Sequence, residues 1–378
     1  MTQSGKRELL EAIRPRYLKA SKTEKTQILN EFVAVTGYHR KHAIRLLKRG
    51  VRRERPKKRG RRKIYQGEVV SALIQVWEVC DRICAKRLHP FLPEIVAVLE
   101  REGELVLSAE TKRLLLQMSR ATMDRCLQPA RYGRRRGWST TKPGTLLKKA
   151  IPVRTFADWD DVRPGFMEMD LVAHCGDSTH GEYLHTLNSV DVATGWCEPL
   201  VLANRSQRQV SAAIKDMRRR LPFPLLGIDS DNDSAFINNN LYRYCQKEKI
   251  TFTRSRPYKK NDQAHVEQKN WSVVRRLIGY DRYESAEALA LMETIYQDYR
   301  LYVNFFQPVL KLVEKHRIDN KVRKRYDMAR TPYRRVLESS DVSDEDKDRL
   351  RQVYQSLNPV TLRRRIQENL ERLWDLPR

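Results

Sequence analysis

From about residue 165 the apolar pattern changes from a helical period to strict alternation, and this change limits the chain to few folds. Gly165–His174, Tyr183–Ala193 and Trp196–Ala203 read as three consecutive strands with short connections. A helix follows over about Ser206–Arg220, then a short apolar strand, Leu225–Ser230, and a helix from about Ser234 to Lys249. A fifth strand, Ile250–Arg256, precedes a loop and a helix from about Gln263 to Ile278. The order β-β-β-α-β-α-β-α predicts an antiparallel meander continued by α/β units, a mixed sheet with helices on its faces.

Three acids fall at special places in that layout. Asp170 lies in the first strand, inside the apolar run Met167–Val172. Asp231 ends the fourth strand, where α/β proteins usually carry their chemistry. Glu267 lies one turn into the last helix, on the face that the spacing assigns to Trp271, Val274 and Ile278. A carboxylate in an apolar setting is costly unless it is paired or metal-bound. Each acid alone would be read as a capping or salt-bridged residue. Converging, the three would hold two hard cations that prefer oxygen ligands. Two such ions about 4 Å apart can activate a water or a 3′-hydroxyl and stabilise the leaving oxygen of a phosphodiester. Glu168 and Asp229 lie two residues from these acids on the same strands, at the rim of such a site.

Sixty residues separate Asp170 from Asp231, and 35 separate Asp231 from Glu267. This spacing resembles the D,D-35-E pattern of retroviral integrases and insertion-sequence transposases. The local sequences FMEMDLV, IDSDNDSAFIN and KKNDQAHVEQKNW, with Thr194-Gly195-Trp196, resemble that family over roughly 143–280. The resemblance implies a ribonuclease-H-like core and a DDE transposase. Asp170, Asp231 and Glu267 would be its catalytic metal ligands, with two Mg²⁺ or Mn²⁺ ions per site. Two positions depart from the pattern: Asp233 stands where the family has Gly, and Ala235 where it has Glu. Asp233 would add negative charge beside the metals.

Charge locates the grip on DNA elsewhere. The chain carries 74 Lys and Arg against 47 Asp and Glu, a net +27. Residues 1–65 hold 21 basic and 5 acidic side chains, whereas 151–279 hold 18 and 16. Such an excess points to a polyanionic partner, with nucleic acid the leading candidate. Ile28, Leu29, Phe32 and Val33, the Thr36-Gly37 break, then Ala43, Ile44 and Leu47 fit a helix-turn-helix. Its second helix would expose Arg40, Lys41, Arg45 and Lys48 to a major groove. Arg52–Lys63 has nine basic residues and one acid, and reads as an extended arm. Its Arg59-Gly60-Arg61 could enter a minor groove, or simply neutralise phosphates.

A second helical unit, about 66–127, ends in a helix opened by Ser108 and a short helix capped by Ser119. The latter would bury Met123 and Leu127 and turn Arg120 and Arg125 outward. Near the core, Lys259, Lys260 and Lys269 surround the Glu267 helix as phosphate contacts, together with Asn261 and Asn270. His39, His42, Cys80 and Cys84 superficially suggest a zinc module. Their spacing, H-x2-H and C-x3-C across the basic arm, favours a surface His pair and buried cysteines instead. Residues 281–378 read as mostly helical, with a basic segment at Lys321–Arg325 and no run of short strands.

The expected organisation is a helix-turn-helix unit (1–50), a basic arm (51–65), a second helical unit (66–130) and a basic linker (131–150). An integrase-type core (151–280) and a helical C-terminal region (281–378) follow. No run is long and apolar enough for a membrane span. Six scattered cysteines suggest a reduced, cytoplasmic, nucleoid-associated protein. The reading that follows is a transposase. It would bind terminal repeats, hydrolyse the phosphodiester at each element end, and join the 3′-hydroxyls to target DNA. Pairing two ends would require at least a dimer. The alternatives are a DNA-binding regulator with an inactive core, or a structure-selective nuclease on the same fold.

Overall fold

The computed structural model describes residues 1–50, 64–131, 163–230, 233, 235–236, 238–254, 264–318 and 321–377. The basic arm, most of the 131–150 linker, Asp231, and the segment with Lys259, Lys260 and Asn261 lie outside the described residues. The chain divides into two compact units, Met1–Ile64 and Tyr65–Arg378.

In the first unit, helices α1 (Gln3–Lys19), α2 (Lys22–Thr36) and α3 (Arg40–Arg49) enclose a small core. Leu10, Tyr17, Ile28, Leu29, Phe32, Ala43 and Leu47 are buried in it. A capping box at Ser21 and Glu24 starts α2. Gly37 ends it at φ 66°, a left-handed conformation that suits glycine.

In the second unit, α4 (Glu68–Val79), α5 (Ala85–Arg101), α6 (Ala109–Leu116) and α7 (Arg120–Arg131) come first. Ser108 caps α6, and the Ser119 hydroxyl accepts from Thr122 N just before α7. The sheet contains β1 (Phe166–Ala173), β2 (His185–Asp191), β3 (Cys197–Leu202), β4 (Gly227–Ser230) and β5 (Thr251–Arg254), in the order β3-β2-β1-β4-β5. β1–β2 and β2–β3 are antiparallel, and β1–β4 and β4–β5 are parallel. Two helices, α8 (Gln207–Arg220) and α9 (Asn239–Lys247), connect the later strands. The mixed sheet therefore follows the alternation read in the sequence.

Two elements of the core differ from expectation. α9 begins at Asn239 rather than near Ser234, because Asn238 caps it by accepting from Leu241 N. The last core helix is α10 (Ala264–Lys269), a π-helical segment Asn270–Arg275, and α11 (Arg276–Ile278). A π turn adds a residue per turn and shifts the phase of everything after it. Trp271, expected on the apolar face, is therefore 61% exposed, while Val273 and Val274 are buried.

The C-terminal region holds α12 (Ala286–Phe306), α13 (Pro332–Glu338), α14 (Asp344–Ser356) and α15 (Pro359–Trp374). It is helical apart from a hairpin, β6 (Leu312–Ile318) and β7 (Lys321–Tyr326), which the sequence pattern did not disclose. One continuous apolar core joins α4–α7, the sheet and the C-terminal helices. Polar ties reinforce it: Tyr302 donates to the Val79 carbonyl at 2.7 Å, and Arg334 pairs with Glu94 at 2.9 Å.

The edge strand β3 is protected by a side chain. Asn304 of α12, fully buried, accepts from Cys197 N and donates to Cys197 O, both at 2.8 Å. The carboxamide thus imitates a neighbouring strand and satisfies a buried edge. Asn304→Leu leaves both backbone groups without a partner and should cost about 2–4 kcal/mol, read as a lower urea midpoint.

Candidate active site

β1 alternates its side chains between the two faces of the sheet. Met167 and Met169 join the main core on one face. Val172 faces the other way, against Val190, Cys197, Val266, Val273, Val274 and Val303. Glu168 and Asp170 share that second face, which α10 and the π segment cover. The parallel register pairs Glu168 with Asp229 and Met169 with Ser230. Met169 and Ser230 are the residues that immediately precede Asp170 and Asp231 in the sequence.

Glu168 fastens α10 to β1. One of its carboxylate oxygens accepts from His265 N and Val266 N, both at 2.9 Å. The bonds engage the first turn of α10, where backbone N–H groups lack helical partners. Glu267 follows Val266 directly and is exposed. It is therefore held one residue from the fastening point, on the open side of the helix. The expectation that Glu267 shares a face with Val274 and Ile278 is corrected: the π segment that follows α10 puts the two buried residues out of phase with Glu267.

Burial pushes the Glu168 carboxyl up to about 8, and the charges of Asp229 and Glu267 add to the effect, against the two backbone donors. Asp229 in turn accepts from the Thr253 hydroxyl at 2.6 Å.

Asp170 is half-buried and positioned by a relay. Its Oδ1 accepts from Leu171 N at 2.8 Å, and its Oδ2 accepts from the Asn270 amide at 2.5 Å. Asn270 accepts from the Asn188 amide at 2.8 Å, and Asn188 accepts from the Cys197 thiol at 3.3 Å. Burial pushes that thiol up to about 12, so it remains a donor. Asn188 stands directly opposite Asp170 in the β1–β2 register. Its role escaped the sequence reading, although a polar residue inside the apolar run of the second strand was the available signal. Asn270, read as a phosphate contact, turns inward to Asp170.

The turn after β4 accommodates Asp233. Its Oδ1 accepts from Ala235 N at 2.8 Å, an Asx turn that closes the bend. Arg205 lies 3.6 Å from its other oxygen and offsets its charge. Asp233 is not among the described residues with positive φ, so this bend does not require glycine.

The other expected contacts divide. Arg40, Lys41, Arg45 and Lys48 are exposed on α3, whose inner face buries Ala43 and Leu47. Arg120 and Arg125 are exposed on α7, where Met123 and Leu127 point inward. Lys269 is half-buried, and burial together with Arg87 lowers its ammonium pKa. The His265 ring is held near 4 by burial, then by Lys311 and Lys269, and is neutral at physiological pH. Asp231, Arg59, Arg61, Lys259 and Lys260 lie outside the described residues. Among the described residues no three metal-ligating side chains come together.

The integrase core domain family matches residues 162–260, and the mixed five-stranded sheet falls within this integrase-type stretch. The chain is 47% identical over 330 residues to "Uncharacterized protein y4rM" of Sinorhizobium fredii (strain NBRC 101917 / NGR234), covering 86% of this chain and 93% of that protein. It belongs to the same family as that protein. The solved catalytic core domain of BIV integrase is similar at 19% identity, over 46% of this chain and 94% of that one. Its TM-score is 0.30.

The Glu168 fastening yields a test. Glu168→Ala strips the acceptor from two N–H groups and should lower stability by about 1–3 kcal/mol in urea unfolding. Glu168→Gln keeps a carbonyl acceptor and should retain most of that stability. Equal losses in the two variants would show that the bonds to α10 are not what Glu168 contributes.

Proposed function

We propose that the chain is an insertion-sequence transposase that cuts the element ends and joins their 3′-hydroxyls to target DNA. The observation that carries this reading is the register of β1 and β4 together with the fastening of α10. Residues just before Asp170 and Asp231 are paired across the sheet, and Glu267 sits one residue beyond the bonds from Glu168. Asp170, Asp231 and Glu267 are the proposed ligands of two Mg²⁺ or Mn²⁺ ions.

The described donors fit such ions. They offer carboxylate oxygen, the ligand type hard divalent cations prefer. Beside them the Glu168 carboxyl is raised to about 8, by burial first and then by the charges of Asp229 and Glu267. When bound, the ions would lower the pKa of the attacking water or hydroxyl and stabilise the leaving oxygen. The protein's own part is placement. The Asn270–Asn188 relay orients the Asp170 carboxylate, and Glu168 sets where α10 begins.

DNA binding is proposed for the exposed basic faces of α3 and α7, with α2 and α3 acting as a helix-turn-helix on the terminal repeats. A pair of element ends would bring at least two copies together during reaction.

Strand transfer of a labelled terminal-repeat oligonucleotide in Mg²⁺ tests the reading. Wild type should give joined products, and Asp231→Asn or Glu267→Gln should reduce them by about 10³-fold or more, the scale of losing a charge-stabilising group at a reaction centre. Binding without cutting or joining would favour the regulator, and cutting without joining the nuclease. Replacing Arg40, Lys41, Arg45 and Lys48 together by Ala should weaken repeat binding. It should also flatten its salt dependence by roughly 0.9 per lost phosphate contact.

A further inference from the structure

Among the described residues of the hairpin β6–β7, none is buried in the apolar core. Its strands carry six Lys or Arg and one acid, Glu314. That acid already pairs with His316 and, at 2.9 Å, with Arg325. Arg323, Lys324 and Arg325 are exposed, as are Val313 and Val322. Alternation puts Arg323 and Arg325 on one face and Lys324 on the other, so neither face is suited to packing on a protein core. Among the described residues the two strands make no extended contact with any other helix or strand.

The register also opposes like charges. Lys315 stands opposite Lys324 in the strand register. Like charges directly opposite one another destabilise a strand pair, and an isolated two-stranded ribbon is marginal in water. A polyanion laid along the ribbon adds attractions that offset that repulsion.

The base of the hairpin, by contrast, is anchored. Asp327 N donates to Lys311 O at 2.9 Å, and Lys311 N donates to the Asp327 carboxylate at 2.7 Å. Arg335 pairs with the same carboxylate at 2.7 Å. The Lys311 ammonium donates to the carbonyls of Val192 and Ala193, in the turn between β2 and β3. Tyr326, at the end of β7, lies under the Lys86 ammonium of α5. A ribbon with a fixed root and an uncovered basic body is built to be presented to a partner.

We propose that β6–β7 is a DNA-contacting ribbon that meets the phosphates lining a major groove, a grip separate from the basic helices of the N-terminal third. The major groove of B-DNA, about 12 Å wide, admits a two-stranded ribbon. The deep, narrow major groove of an RNA duplex does not. The inference rests on the reading of the chain as one that acts on DNA, and its test separates the two.

Binding of the full chain to a fluorescent random-sequence duplex is measured over a range of salt for wild type, Arg323→Gln/Lys324→Gln and Arg323→Lys/Lys324→Arg. The Gln pair should weaken binding several-fold and reduce the slope of log affinity against log salt by roughly 2, at about 0.9 per phosphate contact. The charge-conserving pair should behave as wild type, and all three should unfold at the same temperature. A photo-crosslinking residue placed at Val322 should attach to the duplex. Wild-type binding with an unchanged slope in the Gln pair and no crosslink at 322 would overturn the ribbon while leaving the transposase reading intact. Failure of wild type to bind DNA at any salt would overturn both. A change in oligomeric mass without a change in salt slope would assign the ribbon to a protein partner and overturn its contact with DNA.

Discussion

Two backbone N–H groups of α10 donate to the Glu168 carboxylate, and the architecture of the site depends on that junction. β1 lies between an antiparallel and a parallel neighbour, so its register is determined on both sides. Glu168 transfers this fixed frame to a helix remote in sequence. Glu267 is then located by its distance along the helix from the junction, and Asn270, three residues further, reaches back to Asp170. One carboxylate thus couples the spacing of two acids that lie 97 residues apart in the chain.

The rest of the second unit supports that frame. Asn304 seals the β3 edge opposite Cys197, and the Cys197 thiol begins the relay that ends at Asp170. Packing at the sheet edge and orientation at the site therefore share a residue. The helices α4–α7 join the same apolar core as the sheet, so they are continuous with the unit that carries the candidate site. The charge distribution is complementary. Basic excess is concentrated before residue 151, while the core that holds the candidate acids is nearly neutral.

Much of the fold was legible because its signals are local. Alternation in FMEMDLVA and the short connections after it specified the meander, and Ser206 and Ser108 marked helix starts by their ability to accept from exposed backbone N–H groups. The spacing of Asp170, Asp231 and Glu267 marked a candidate site in the sequence. The π segment was not legible, since Asn270–Arg275 has the composition of an ordinary helix and its extra residue per turn is stabilised by packing. Glu168 looked like a rim residue because its partners, two backbone N–H groups, leave no mark in side-chain pattern. The β6–β7 hairpin was obscured by its charge, which interrupts the apolar alternation that announces a strand.

The amino-acid sequence by itself determined the order of strands and helices in the sheet-containing core, the positions of the acids along them, and the basic character of the N-terminal third. These follow from periodicity, capping chemistry and charge, all expressed within a few residues. Only the tertiary structure decided that Asn188 and Asn270 orient Asp170, that Glu168 fastens α10, and that Glu267 and Trp271 face outward. Each of these outcomes depends on hydrogen bonds or packing between segments far apart in the chain. Their geometry exists only once the sheet has brought those segments together.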